Sequence, residues 1–224
     1  MNAAADRVYS SVNPVVFARI PTSATSVLDL GCGDGTLGRA IKARAPCRVV
    51  GVTFSQAESA QAEATLDAVV RADINTADLT SLGRFDVIVC SHILEHLVDP
   101  GAVLRRLRDN VAPGGRVIVA LPNPLLWRQR LAFLAGRFRY TEGGIMDDTH
   151  LRFFDWTTAR RMIEGAGYAI DEKIADGGVP GSRLLHKVSA ALADRVDRAA
   201  TAALPGLLGV QFVFSARPTA TPPG

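Results

Sequence analysis

The sequence predicts a doubly wound α/β domain, an open and mainly parallel sheet with helices on both faces. Three observations carry that expectation. Short apolar runs alternate with stretches of helical period from Ser26 to Asn123, and such alternation calls for right-handed crossovers between parallel strands. The first apolar run, "SVLDLGCG", ends in glycines just ahead of a helical stretch, the punctuation of a tight strand-to-helix turn. A chain of 224 residues, 48% hydrophobic and 21% charged, is long enough to bury one substantial core, and nothing in it demands two domains.

The elements follow in order. "TLGRAIKARA" reads as a helix, "RVVGVTF" as a strand, "SQAESAQAEATLD" as a helix and "AVVRADI" as a short strand. "FDVIVCSHIL" is the next strand, "PGAVLRRLRDNV" a helix and "GRVIVALPN" the fifth strand. The alternation then stops. "PLLWRQRLAFLAGRFRYTEGGIMDDTH" carries a basic, aromatic helical stretch and a glycine-containing loop, a cap over the strand ends. "TTARRMIEGAGYAIDEKIAD" is a helix closed by glycines and followed by a strand, Ser182 to Ala203 is a further helix, and "LLGVQFVFSARP" is the last strand. The expected organisation is one domain over residues 1–216, with a cap insertion at about 123–150, a helical insertion at about 180–205 and a frayed tail from 217 to 224.

Composition narrows the function. The net charge is +3, and the basic residues are dispersed except between Arg128 and Arg139, which is no nucleic-acid footprint. Cys32, Cys47 and Cys90 are widely spaced in apolar strands or turns, which fits reduced thiols and a cytoplasmic protein better than a disulfide framework. Neither a secretion signal nor a membrane span is indicated.

Ligands of such sheets bind outside the carboxyl ends of the strands, where the strand order reverses. That places function at Gly31 to Gly35, Thr53, Asp73, Ser91 and beyond Pro122. "VLDLGCGDGTLG" lets the backbone approach a ligand where a Cβ would collide, and Asp29 and Asp34 set carboxylates beside the turn. A phosphate would not be welcome there, whereas a cation would. Gly33, Gly35 and Gly38 also match the dinucleotide spacing, but two residues late relative to the strand. A generic tight turn is the plainer alternative.

With these residues in view, the chain resembles class I S-adenosylmethionine-dependent methyltransferases. "LDLGCGDG", "RADI", "FDVIVCSHILEHLVDP" and "LRRLRDNVAPGGRVIVALPN" are similar to their successive motifs. The resemblance implies a seven-stranded sheet whose final strand is antiparallel. It implies S-adenosylmethionine as cofactor, with Asp29, Gly31, Cys32 and Gly33 around the methionine part and Asp73 with Ile74 at the adenine. Thr53 and Phe54 would lie at the ribose, and Ser91 and His92 beneath the sulfonium. One position departs from the family: the second strand ends in Thr53 where an Asp or Glu usually takes both ribose hydroxyls, and Gln56 or a main-chain amide would have to compensate. Thr53 is equally an ordinary β-branched strand residue. No "NPPY"-like motif follows the fourth strand, which disfavours a nucleic-acid acceptor.

Transfer to oxygen needs a base. Among the four histidines, His96 is expected to hydrogen-bond a neighbouring loop, His92 to lie near the cofactor and His186 to be exposed on a helix. His150, in "DDTHLRFFDW", stands in a loop behind the cap, with Asp148 or Asp147 to orient its imidazole. The block resembles segments of family members associated with sugar and glycan modification. Against catalysis stands a plainer reading in which Asp155 or Thr157 caps the helix, Phe153 and Phe154 enter the core and His150 only ties the loop. Asp147, Asp148 and His150 are also the candidate ligands of a divalent cation. Trp127, Tyr140 and Arg152 are the expected substrate contacts. The interleaving of Trp127, Phe133, Phe138 and Tyr140 with arginines suits a sugar-phosphate wall, a helix resting on a membrane surface, or a solvated basic face.

The expected activity is methyl transfer to a hydroxyl of a small molecule, a sugar or glycan first and a natural-product or lipid-like acceptor second. A non-catalytic S-adenosylmethionine-binding regulator is the alternative from another class. Peripheral membrane contact and a homodimer stay open as partners.

Overall fold

The computed structural model describes residues 11–182 and 187–220. Its centre is a seven-stranded sheet of order β3-β2-β1-β4-β5-β7-β6. The strands are β1 Ser26–Leu30, β2 Arg48–Thr53, β3 Ala68–Arg71, β4 Phe85–Ser91, β5 Val111–Pro122, β6 Tyr168–Gly177 and β7 Gly209–Pro218. The first five pair in parallel, and β7 runs antiparallel to both β5 and β6. This is the doubly wound, seven-stranded arrangement expected from the alternation and the resemblance.

The helices are α1 Pro14–Phe17, α2 Thr36–Arg44, α3 Gln56–Ala62, α4 Pro100–Leu107, α5 Trp127–Leu134, α6 Trp156–Gly165, α7 Ala190–Ala203 and α8 Pro205–Leu208. Strand period two divides the core between the sheet faces. Leu28, Leu30, Val50, Val52, Ile88 and Cys90 point to one side, where Leu104 and Leu107 of α4 and Ile163 of α6 cover them. Val27, Val49, Val87 and Val89 point to the other, beneath Val16 of α1 and Ile41 of α2. Strands buried on both faces read as continuous apolar runs, which is why they are legible in the sequence.

Local chemistry sets the boundaries near the site. Asp155 caps α6 through a reciprocal pair with Thr158, its side chain accepting from the Thr157 and Thr158 amides, so the capping half of the plainer reading holds. Phe154 packs on the core, while Phe153 stays 38% exposed. The strand β7 carries order into the stretch expected to fray, with Arg217 opposite Ala169 and Pro218 opposite Tyr168. Residues 221–224, the N-terminal 1–10 and the expected exposure of His186 lie outside the described residues. No helix among the described residues is long and apolar enough to cross a membrane.

Candidate active site

The strand order reverses between β1 and β4, and the loops that leave their carboxyl ends form two facing halves. In the first half, Gly31 takes φ +78°, a backbone conformation that L side chains rarely adopt, with Ile93 lying where its Cβ would stand. The amides of Gly31 and Cys32 both donate to the Val52 carbonyl, at 2.8 and 3.0 Å, tying the turn to β2. Gly51 permits that approach, since a Cβ there would meet Cys32 Sγ at 2.5 Å. Asp29 is only 3% exposed, and burial pushes its carboxyl up to about 7. A buried carboxylate without an ion pair among the described residues is suited to a cationic ligand. The donor set therefore fits the ammonium-bearing methionine part of S-adenosylmethionine.

Further along the same edge, Thr53 ends β2 and its hydroxyl donates to Glu58 Oε2 at 2.6 Å. Asp73 Oδ1 accepts from the Asn75 amide and side chain, both at 2.9 Å, which fixes the turn after β3. Ile74 is buried beside it. Phe54 is 77% exposed, its ring turned to solvent. Gln56, a suggested substitute for the missing acid, accepts from Arg71 at 3.4 Å and leans toward β3.

The second half is built on Glu95. His92 leaves β4 with φ +52°, the only positive value at a non-glycine among the described residues, and such strain persists where the surroundings over-determine it. Its amide donates to the Ala120 carbonyl at 3.0 Å, and its Nε2 meets Gln211 Oε1 at 3.0 Å. Its Nδ1 lies 3.4 Å from Glu95 Oε1, and His150 Nε2 lies 4.0 Å from the same oxygen. Glu95 is 1% exposed, and beyond these two imidazole contacts neither of its oxygens has a partner among the described residues.

The "DDTHLRFFDW" segment reaches this point as a strap. The amides of Leu151 and Arg152 both donate to the Glu95 carbonyl, at 2.9 and 3.0 Å. His96 Nδ1 meets Thr149 Oγ1 at 3.0 Å, the loop contact expected of it. His150 is 8% exposed, edge-on to His96 and Phe153. Burial pushes its pKa down, opposed by Glu95. At His92 burial also disfavours charge, but Glu95 and Gln211 outweigh it and the net shift is upward. Two histidines thus share one carboxylate and are driven in opposite directions.

Several expectations are corrected here. Asp148 is exposed, and the carboxylate facing His150 is Glu95. The Asp147–Asp148–His150 cation set does not assemble, because Asp147 Oδ1 takes the Thr149 amide and hydroxyl at 2.8 and 2.6 Å; the cluster among the described residues is Glu95, His96 and His150. Arg152 donates to the Val98 carbonyl at 3.2 and 2.8 Å, bracing the strap instead of facing an acceptor. Trp127 lines a separate hollow of about 370 Å³ with Val179, Asp197 and Val210. Tyr140 joins a ring cluster with Phe138, which also meets Phe133 and Phe153. Glu95, Glu58 and Gln211 were not singled out from the sequence. For Glu95 the signal was present, an acid between two histidines in "SHILEHL".

A glycine-rich acidic turn, a seven-stranded 3-2-1-4-5-7-6 sheet and a histidine-lined exit from β4 define the class I S-adenosylmethionine-dependent methyltransferase fold. The chain belongs to the methyltransferase domain family, whose model matches residues 4–173. The cofactor implied by family and fold is S-adenosylmethionine. The chain is 32% identical over 122 residues to a ubiquinone biosynthesis O-methyltransferase of Pseudomonas aeruginosa, a match over 50% of this chain and 52% of that one. It thus spans about half the length of the curated relatives it matches. Among solved structures, an S-adenosylmethionine-dependent methyltransferase from Archaeoglobus fulgidus superposes with a TM-score of 0.65 at 18% identity, covering 94% of this chain and 96% of that one. One from Mesorhizobium loti does so at 0.61 and 20% identity, covering 91% and 96%. These likenesses show the fold.

Proposed function

We propose that this chain transfers the methyl group of S-adenosylmethionine to a hydroxyl of a small molecule, with His150 as the base. The observation that carries the reading is the buried Glu95 between His92 and His150. Environments that drive two titratable groups apart mark the acid and base of a site. His150, pushed below the ordinary imidazole value, is a neutral acceptor for a proton at pH 7, whereas at His92 the neighbouring Glu95 and Gln211 favour the protonated form.

The cofactor brings an electrophilic methyl carbon, so the protein has only to align the acceptor and take its proton. Glu95 steadies the imidazolium that His150 becomes, the part first assigned to Asp148. The two backbone hydrogen bonds from Leu151 and Arg152 hold the strap in register with β4. Phe153 stands beside His150, and Phe138 and Tyr140 continue the ring cluster from it, which suits a sugar or glycan, whose C–H surfaces pack on aromatic rings. Incubation with methyl-labelled cofactor and fractionated glycans, lipids and metabolites tests this directly. Label in a glycan or sugar fraction supports it. Label confined to lipid selects the lipid-like acceptor, which the relatives named for ubiquinone biosynthesis and the exposed Leu131 and Leu134 favour. No label in any fraction, with cofactor bound, selects the non-catalytic regulator.

A second reading of the same cluster is a divalent cation held by Glu95, His96 and His150, whose ligand atoms lie within 4.8 Å of one another. Imidazole and carboxylate donors suit zinc or manganese. Turnover abolished by a chelator and restored by one of these ions selects this reading; turnover indifferent to chelation leaves His150 as the base.

A further inference from the structure

The end of β2 carries an unexplained arrangement. Thr53 stands where the family places an acid, and its one proton is committed: it donates to Glu58 Oε2 at 2.6 Å, while its oxygen accepts from the Ser55 amide at 3.3 Å. A hydroxyl has one proton to give, so Thr53 cannot donate to a ribose while it holds Glu58. Glu58 is the third residue of α3, behind the Ser55 cap, which accepts from its amide. A glutamate there ordinarily reaches back to the cap's own amide. Here that amide is taken by Thr53, and the carboxylate turns to the strand end instead. It is half-buried, and its other oxygen has no hydrogen bond among the described residues. Its charge reaches the glycine turn, where with Asp29 it helps push the Cys32 thiol up after burial has done most of the work.

We propose that Glu58, aimed by Thr53, is the carboxylate that receives the ribose hydroxyls of S-adenosylmethionine, supplied five residues later than the position where the family carries it. The ribose-binding charge is thereby moved from the strand to the helix, and Thr53 is a positioning residue. The assignment rests on the cofactor reading above.

Calorimetry with S-adenosylhomocysteine and with its analogue lacking both ribose hydroxyls tests the two separately. Wild type should bind the analogue about 10- to 100-fold more weakly, the worth of charge-assisted hydrogen bonds to a carboxylate. Glu58→Ala should weaken S-adenosylhomocysteine by a similar factor and leave the analogue unchanged, so that the variant no longer distinguishes the two. Glu58→Gln should fall between. Thr53→Val should lose part of the discrimination while Glu58 remains. Equal losses for both ligands in Glu58→Ala would mean that Glu58 only supports the fold, and undiminished discrimination would place the ribose elsewhere; either overturns the assignment. Wild type that binds neither ligand overturns the cofactor reading itself, and the assignment with it.

Discussion

The two halves of the cleft are made in different ways. The half proposed for the cofactor is continuous: Asp29, Gly31, Cys32 and Gly33 lie within five residues of one another, and one strand and one turn place them. The half proposed for the acceptor is assembled: His92 and Glu95 from the exit of β4 and His150 from a strap more than fifty residues later meet around one buried carboxylate, and Gln211 from β7 braces it through His92. A continuous site tolerates rearrangement elsewhere in the chain, whereas an assembled one depends on the docking of each piece. The first resists change through backbone geometry, and the second through buried electrostatics.

Four experiments test that contrast. The largest effect is expected at the assembled half, where His150→Ala and His150→Gln should lower kcat by about 100- to 10,000-fold, the range for losing a general base, with S-adenosylhomocysteine affinity within twofold of wild type in calorimetry. Full activity in both variants ends the base assignment. Next, Gly31→Val at the continuous half should place a β-branched residue at φ +78° against Ile93. Strain of about 1–3 kcal/mol should appear as a lower Tm and cofactor affinity reduced about 5- to 150-fold, read by thermal melts and calorimetry.

A smaller effect comes from Asp29. Its carboxyl is raised to about 7 from 3.8, so between those values the folded protein holds a proton that the unfolded chain has lost. Stability contributed by the neutral form is complete below about 4 and declines as pH rises toward 7. A cationic cofactor beside Asp29 favours the ionised form. Affinity for S-adenosylmethionine should therefore climb about tenfold between pH 6 and 8, with a proton released on binding and the slope abolished in Asp29→Asn. A flat pH profile separates Asp29 from the ligand's charge. The smallest effect is expected for Arg152→Met, which loses two exposed hydrogen bonds to Val98. It should cost about 1 kcal/mol or less and lower kcat a few-fold through a looser strap. A drop in substrate affinity without loss of stability would return Arg152 to the acceptor site.

The degree to which each half was legible follows from how it is made. The strands, the glycine turn with Gly31 at positive φ and the Asp29 carboxylate beside it are local patterns, and so is the Asp155 cap of α6. The cation set of Asp147, Asp148 and His150 failed because proximity in sequence says nothing about where a loop points its side chains: Asp147 turned inward to Thr149 and Asp148 outward to water. Arg152 is another case, since a long side chain can spend its donors on any carbonyl in reach, here that of Val98. Glu95 escaped attention because its neighbours drew it; only burial reveals that the carboxylate between two histidines is the centre of the cluster.

By itself the sequence determined the doubly wound sheet and the cofactor turn, because strand period, helical period and glycine's access to positive φ act over a few residues and need no distant partner. The tertiary structure alone decided which carboxylate faces His150, which acid stands at the end of β2 and which arginines are already engaged. Those outcomes depend on desolvation and hydrogen bonding between segments far apart in the chain, and these forces exist only once the sheet has brought the segments together.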